Sequence, residues 1–483
     1  MSSGVLQPEL FHPGGAPLSV GIVGGGVAGL ATAYEIHKLA AASNLAVRAA
    51  VYERAATPGG KVRSLREDGF VIEGGPDSLL TEKPWGLELC RDLGLGDELL
   101  PSNDAQRLFF ILRNGKLHPF PAGMRLFIPQ SLKPLIFTRL LSPMGKLRMA
   151  FEPFVPARRE GGDESLAAFV TRRCGREVLD RLAGPLLAGI YAADPDQMSM
   201  RSTFPSLLAM EQKHGSLTKA IRVAMKRPAT PGRTLFTSLR GGMESLIDAL
   251  RARLDGHITT GSAVRGIRIK AGRYELVFDG GRVEAHDAVV LACSSAESAR
   301  LLAPFNPALS ADLARQEFTS SITVSLGYRR ADLPYGRAPR GFGFLTPASE
   351  NRRVLGGTWS TNKFNHRSDE DHFLIRLFIS GPPADEWMGL DDAALAEVAR
   401  AELRDIADID AQPMMHRVFR WPNANPQYRV GHGDWISGLE STLARIPGLH
   451  ITGSCYYGAS VSDCAKSSRE TAARVLTGLT ARA

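Results

Sequence analysis

Cysteine is scarce in this chain of 483 residues: five are present, at 90, 174, 293, 455 and 464, and no two form a Cys-x-x-Cys pair. The odd number and wide spacing exclude a disulfide framework or a cysteine zinc site as the organising element, and suit free thiols in a reducing compartment. No His pair has metal-ligand spacing either, so no metal is expected. Long apolar runs are missing too, which excludes a membrane-spanning helix. The opening residues, MSSGVLQPELFHPGGAPLS, hold no basic stretch followed by an apolar one. Residues 1–17 are therefore read as a flexible tail, not a signal peptide, and the protein as cytoplasmic. The most local absence is of acid. Between Asp104 and Glu152 there is no Asp or Glu, while that stretch carries eight Lys and Arg, equal to the net charge of +8 of the whole chain. Large apolar residues such as Phe127, Leu135, Ile136, Phe137 and Leu147 are interleaved with these cations. Such a mixture suits peripheral contact with an anionic membrane, here the cytoplasmic face of an inner membrane, or a mouth that attracts an acidic substrate. An ordinary helical hairpin with solvated cations competes equally. No nucleic-acid motif accompanies the charges, so nucleic acid is not expected as a partner.

What is present begins at residue 18. A short apolar strand ending at Val23 runs into Gly24-x-Gly26-x-x-Gly29, and a helical pattern follows at once, with Val27, Leu30, Ala31 and Tyr34 on one face. A second strand, 46–52, ends at the acidic Glu53. Each part has a task in binding a dinucleotide. Gly24 makes the tight turn, Gly26 lets the backbone approach a pyrophosphate, and Gly29 lets helix and strand pack closely. Gly25, Val27 and Ala28 complete the turn and open the helix, whose N-terminus faces the phosphate charge. Glu53 is placed to accept hydrogen bonds from the adenosine ribose. The next segment, from Glu53 and Arg54 to Gly60 and Lys61, passes a Gly pair and a basic residue, as a loop near a second phosphate or a flavin would. Residues 448–475 supply a strand, a turn at Gly453, a small-residue loop and a helix opening at Ser460 and Val461. A second helix N-terminus is thus expected against the same cofactor. A cofactor touched by both chain ends is large and firmly held, which favours FAD over NAD.

These blocks resemble the flavin-containing amine-oxidase superfamily and, within it, the protoporphyrinogen/coproporphyrinogen oxidases. The resemblance spans nearly the whole chain, and its more specific pieces are EGGPDSLL (73–80), GIYAADPDQMSMRSTFPSLLAMEQKHGSL (189–217) and FRWPNANPQY (419–428). The C-terminal loop departs from the family pattern, with Ser454 where Asn or Asp is common and Ser460 where Gly is usual. The resemblance implies FAD as cofactor, a porphyrinogen as substrate and oxygen as acceptor, with protoporphyrinogen IX taken as substrate and coproporphyrinogen III as the alternative. Another flavin oxidase or desaturase, or a catalytically silent FAD scaffold, stays open. So does a homodimer, since surface geometry cannot be read from sequence.

The expected fold class is α/β. A Rossmann-like FAD-binding domain is assembled from residues 18–100, 236–300 and 445–483, with Val264 approaching the adenine. An α+β substrate domain takes 101–120 and 301–444, and a helical lobe takes 121–235. Smaller expectations are a helix over 81–100, a hairpin around Asn114-Gly115, a helical pattern over 121–227 broken by prolines, a linker at 228–233 and a β-meander turning at Gly280-Gly281. Near the flavin, the Gly75-Pro76-Asp77-Ser78 turn is expected to hold cofactor. Asp77 is the candidate catalytic residue, accepting pyrrole N–H bonds or a proton; an Asx-turn or capping role competes. Arg107 is the candidate for a substrate propionate, because a guanidinium binds a carboxylate in bidentate fashion, with Arg113 as the alternative. Phe342 is a candidate wall for a flat aromatic substrate.

Overall fold

The computed structural model describes residues 17–158, 161–225, 234–334 and 338–481. The 228–233 linker and nearly all of the 1–17 tail lie outside the described residues. The opening motif folds as a βαβ unit: β1 (Leu18–Val23), α1 (Val27–Ala42) and β2 (Val47–Tyr52), with Ile22 opposite Val51 in parallel register. β1 shows no polar alternation because both its faces are covered, as in parallel sheets generally. The strand Ala288–Leu291 pairs with the other side of β1 and is buried at all four positions. Ile258–Thr259 and Leu449–Ile451 complete a five-stranded parallel sheet in the order 258–259, β2, β1, 288–291, 449–451. Three distant stretches of chain therefore meet in one sheet. The last helix, Val461–Thr480, packs along α1, whose Ala28, Gly29, Ala31 and Ala33 permit close approach on several sides.

A seven-stranded sheet runs in the order 415–426, 318–329, 372–380, 356–359, 343–345, 109–113, 116–119. The Asn114-Gly115 hairpin forms as expected, with φ of 50° and 69°, the left-handed pair that a two-residue turn of this kind requires. One face of this sheet buries Val324, Ile375 and Leu377 against the helix Asp392–Ala407, whose N-terminus is capped by Asp391. The opposite face, carrying Thr323 and Arg376, turns toward the Gly74–Gly75 turn. The meander at Gly280-Gly281 is also present, as strands 264–270, 273–278 and 283–286.

Two local expectations change. The α-helix of the 81–100 segment spans only Pro84–Asp92, with Pro84 in the first turn fixing its start, and a short 3-10 turn follows at Gly96–Glu98. The flanking Leu79–Leu80 and Leu99–Pro101 instead pair with Phe236–Leu239 as a small antiparallel sheet. The 121–227 region is mainly helical but contains a two-stranded ribbon, Met124–Arg125 with Ile128–Pro129. Pro143 opens a helix, with Ser142 as its cap, and does not break one.

Candidate active site

Three loops converge on the N-terminal end of α1. Gly24 has φ +109°, and a Cβ there would lie 2.9 Å from the Ala292 carbonyl oxygen. A Cβ on Gly29 would lie 1.9 Å from the Gly24 carbonyl oxygen, so only glycine permits this helix–strand contact. Gly26 differs, since nothing lies within 4 Å of a Cβ placed there. It is the N-cap of α1, no side chain caps the helix, and its first turn holds no acid. The N–H groups that open α1 thus face clear space with their positive end uncompensated, which is what a pyrophosphate needs.

The other loops close around this point. Glu53 Oε2 accepts a 2.7 Å hydrogen bond from Gly25 N, and Oε1 accepts one from Ala55 N at 2.8 Å. The acidic end of β2 therefore fixes the glycine turn. Gly59 N donates to Gly25 O at 2.8 Å, and a Cβ on Gly60 would lie 3.3 Å from Gly26 Cα. Lys61 Nζ donates to Ala424 O at 2.8 Å and to Ser454 Oγ at 3.2 Å, tying the second loop to the C-terminal one. Gly453 backs Ala28, and Ser468 Oγ donates to the Ala28 carbonyl at 2.8 Å. Arg54 is exposed and Val264 is buried at the head of its strand.

The second helix N-terminus carries a side-chain cap. Ser460 Oγ donates to Asp463 Oδ2 at 2.6 Å and accepts from Asp463 N, and Lys83 Nζ reaches the same carboxylate at 2.6 Å. The helix that Val461 begins is thus capped by its own side chains, with a lysine beside the capping carboxylate.

The Gly75–Ser78 turn is gripped from the seven-stranded sheet. The Gly74 carbonyl accepts from Thr323 Oγ1, Arg376 and Trp421 Nε1 at 2.9–3.0 Å, and the Gly75 carbonyl accepts from Arg376 at 2.6 Å. A Cβ on Gly75 would lie 1.7 Å from the Lys61 carbonyl oxygen, so this turn packs directly on the second cofactor loop. Two residues on, Asp77 meets Lys363 Nζ at 2.8 and 3.0 Å, while Ser78 Oγ donates to the same carboxylate at 2.6 Å. Burial would raise the Asp77 pKa, but the charges of Lys363 and Arg376 and the two side-chain hydrogen bonds outweigh it, holding the carboxyl well below the usual range. The geometry holds Asp77 as the anion of an ion pair with Lys363.

A cavity of about 400 Å³ is walled by residues that include Arg107, Arg330, Arg340, Gly341 and Asn362; neither Asp77 nor Lys363 lines it. Asn362 Nδ2 donates to Pro339 O and Gly341 O, fixing one wall, and the next residue is the Lys363 that holds Asp77. Arg107 is half exposed, 3.8 Å from Asp104. Arg330 stacks on Phe373, and its buried Nε has no hydrogen-bond partner. Arg113 does not line the cavity. Phe342 is buried and does not line the cavity, and two residues on the Phe344 ring packs on Trp359 at 5.4 Å. Sequence reasoning singled out Arg107 and Asp77 and passed over their neighbours Lys363, Arg376, Arg330 and Arg340, which no local motif marks.

A glycine turn that admits a pyrophosphate, bound between the two ends of the chain, defines a dinucleotide-binding oxidoreductase. The chain belongs to the flavin-containing amine oxidoreductase family, whose profile matches residues 27–476; it is a flavoprotein and its cofactor is FAD. It is 32% identical over 467 residues to the coproporphyrinogen III oxidase of Bacillus subtilis, covering 95% of this chain and 98% of that one. Against protoporphyrinogen oxidase 1 of Arabidopsis thaliana chloroplasts the identity is 30% over 481 residues, covering 94% and 87%. The crystal structure of a protein assigned as a protoporphyrinogen oxidase, from Exiguobacterium sp. 255-15, superposes with a TM-score of 0.84 at 32% identity, covering 95% and 98%.

Proposed function

We propose that the protein oxidises a porphyrinogen to the porphyrin with oxygen as final acceptor, and that coproporphyrinogen III is preferred to protoporphyrinogen IX. The observation that carries the preference is the cavity walled by Arg107, Arg330 and Arg340. Coproporphyrinogen has two propionates where protoporphyrinogen has two vinyl groups, and guanidinium forks are matched to carboxylates. The similarity to proteins named coproporphyrinogen III oxidase points the same way. FAD, when bound, supplies the acceptor for the electron pair and hydrogen removed from carbon and is returned to its oxidised form by oxygen.

The chain's own contribution is placement. The glycine turns of residues 24–29 and 59–60, with Glu53 and Lys61, hold the cofactor. The arginines orient the macrocycle by its acid side chains, and Asp77, kept ionised by Lys363, accepts pyrrole N–H bonds. The test is porphyrin fluorescence from freshly reduced copro- and protoporphyrinogen, assayed side by side in air with flavin-loaded protein. Arg330→Leu and Arg340→Leu should each raise KM for coproporphyrinogen about tenfold or more, the cost of one charged hydrogen bond, with less effect on protoporphyrinogen. Equal kcat/KM for the two compounds would refute the preference. Silence on both from yellow protein would refute the porphyrinogen reading in favour of another flavin oxidase or a silent scaffold.

A further inference from the structure

We infer that Arg376 is held under the Gly74–Gly75 turn as an unneutralised buried cation, and that its charge sets how readily the bound flavin accepts electrons. Arg376 is buried, 5% exposed, on the sheet face that meets this turn. Its Nη2 donates to the Gly74 and Gly75 carbonyls at 2.9 and 2.6 Å, and its guanidinium lies 4.9 Å from the centre of the Phe378 ring. None of these partners is an acid. The carboxylates whose charges reach it, Asp77 and Glu73, are each engaged by another cation: Asp77 by Lys363 at 2.8 Å, and Glu73 by Arg367 at 3.0 Å. Lys363, Arg367 and Arg376 thus face only two carboxylates, and among the described residues Arg376 joins no salt bridge. A guanidinium stays charged even when buried, so the excess is permanent.

The turn itself does not need that charge. The Gly74 carbonyl already accepts from Thr323 Oγ1 and Trp421 Nε1, so neutral donors suffice to hold it. Burying a cation without a carboxylate is costly unless another group compensates it. Two polar atoms on the same face add to this: Arg376 Nε and Ser325 Oγ are both buried with no hydrogen-bond partner. The two residues stand directly opposite each other in the pair of strands 318–329 and 372–380, so their side chains share one face. The turn packs on the Lys61 carbonyl, which brings the cation next to the loop that holds the cofactor. A flavin that takes up two electrons and one proton carries a negative charge, and a fixed cation nearby favours that form over the oxidised one. The electron pair comes from the carbon being oxidised and passes on to the acceptor, so Arg376 shifts the equilibrium and is itself unchanged. The inference rests on FAD as cofactor and not on which substrate is oxidised.

The experiment is the midpoint potential of the full flavin-loaded chain, from reductive titration against a reference dye. Alongside it goes the dissociation constant for sulfite, a probe that adds to oxidised flavin and leaves it negative. Arg376→Gln keeps amide donors for the two carbonyls but removes the charge, whereas Arg376→Lys keeps the charge. The Gln variant should shift the two-electron equilibrium at least about tenfold toward oxidised flavin, about 30 mV, and weaken sulfite by a similar factor. The Lys variant should stay close to the parent in both. Flavin content and thermal midpoint will report an intact fold. If Arg376→Gln does not hold flavin, Thr358→Glu takes its place, because residue 358 is directly opposite Arg376 on the neighbouring strand and a carboxylate there neutralises the guanidinium; sulfite should weaken likewise. The inference is overturned by a Gln variant with the parent's potential and sulfite affinity, by a Lys variant as weak as Gln, which would make hydrogen-bond geometry the whole effect, or by unchanged sulfite binding in Thr358→Glu.

Discussion

Gly26 offers the sharpest perturbation of the cofactor cradle, because its role can be separated from the folding of the turn. Its φ of −71° and ψ of 176° are open to any residue, and an added Cβ touches nothing within 4 Å. Gly26→Glu should therefore leave the apoprotein close to parental stability. The new side chain enters the space that the N-terminus of α1 faces, bringing bulk and a negative charge where a pyrophosphate must approach. If it denies the cofactor two backbone N–H bonds, each worth about 1.5–3 kcal/mol to a charged group, FAD weakens by about 3–6 kcal/mol, more than a hundredfold. Gly29→Ala is the contrasting control. Its Cβ would sit 1.9 Å from the Gly24 carbonyl oxygen and 3.2 Å from Ala292 Cβ, so it should destabilise the fold itself, by about 1–3 kcal/mol of overpacking. The assay is flavin retained per chain after desalting, read from visible absorbance, alongside the thermal midpoint of the apoprotein. Gly26→Glu should lose flavin with an unchanged midpoint, and Gly29→Ala should lower both. A Gly26→Glu protein that keeps one flavin per chain would falsify the reading of this turn.

Two further predictions concern charge. Lys363→Met strips the closest countercharge from Asp77 and should cost about 3 kcal/mol, the scale for breaking a buried ion pair. Because the folded Asp77 pKa is depressed, its stabilisation is complete above the ordinary carboxylate range and is lost as pH falls through that range toward the folded value. Acid denaturation curves of Lys363→Met should accordingly be shallower than the parent's, and Lys363→Arg should restore the slope; parallel curves would refute the pairing. His286 hydrogen-bonds Ser19 Oγ at 2.7 Å and Tyr52 OH at 3.0 Å, and burial pushes its pKa from 6.5 down to about 4. The unfolded chain takes up this proton first, so stability is full above pH 6.5 and falls between 6.5 and about 4. His286→Gln should lose part of that pH dependence in thermal midpoints, by an amount on the order of 2 kcal/mol, and a midpoint profile identical to the parent's would refute the assignment.

The two halves of the site differ in how well the sequence announces them, and the reason is physical. The cradle is made of backbone. A turn that must let a phosphate approach an amide tolerates only glycine, and the strand and helix on either side keep their own periods, so Gly24, Gly26, Gly29 and Glu53 stand within one readable segment. The parallel strand at 288–291 carries its mark in the sequence too, because burial on both faces leaves an unbroken apolar run. The substrate side is made of side chains that meet only after the chain has folded. Lys363 reaches Asp77 across 286 positions, and Arg330 and Arg340 join Arg107 from loops at the end of a sheet. A lone lysine or arginine in a polar stretch has the same local signature whether it is solvated or holds a carboxylate. The C-terminal helix is a local case again, since Ser460 and Asp463 form a capping box that the spacing Ser-x-x-Asp spells out. The cofactor could therefore be read from glycine geometry, whereas substrate choice rests on charges whose meeting depends on the tertiary fold.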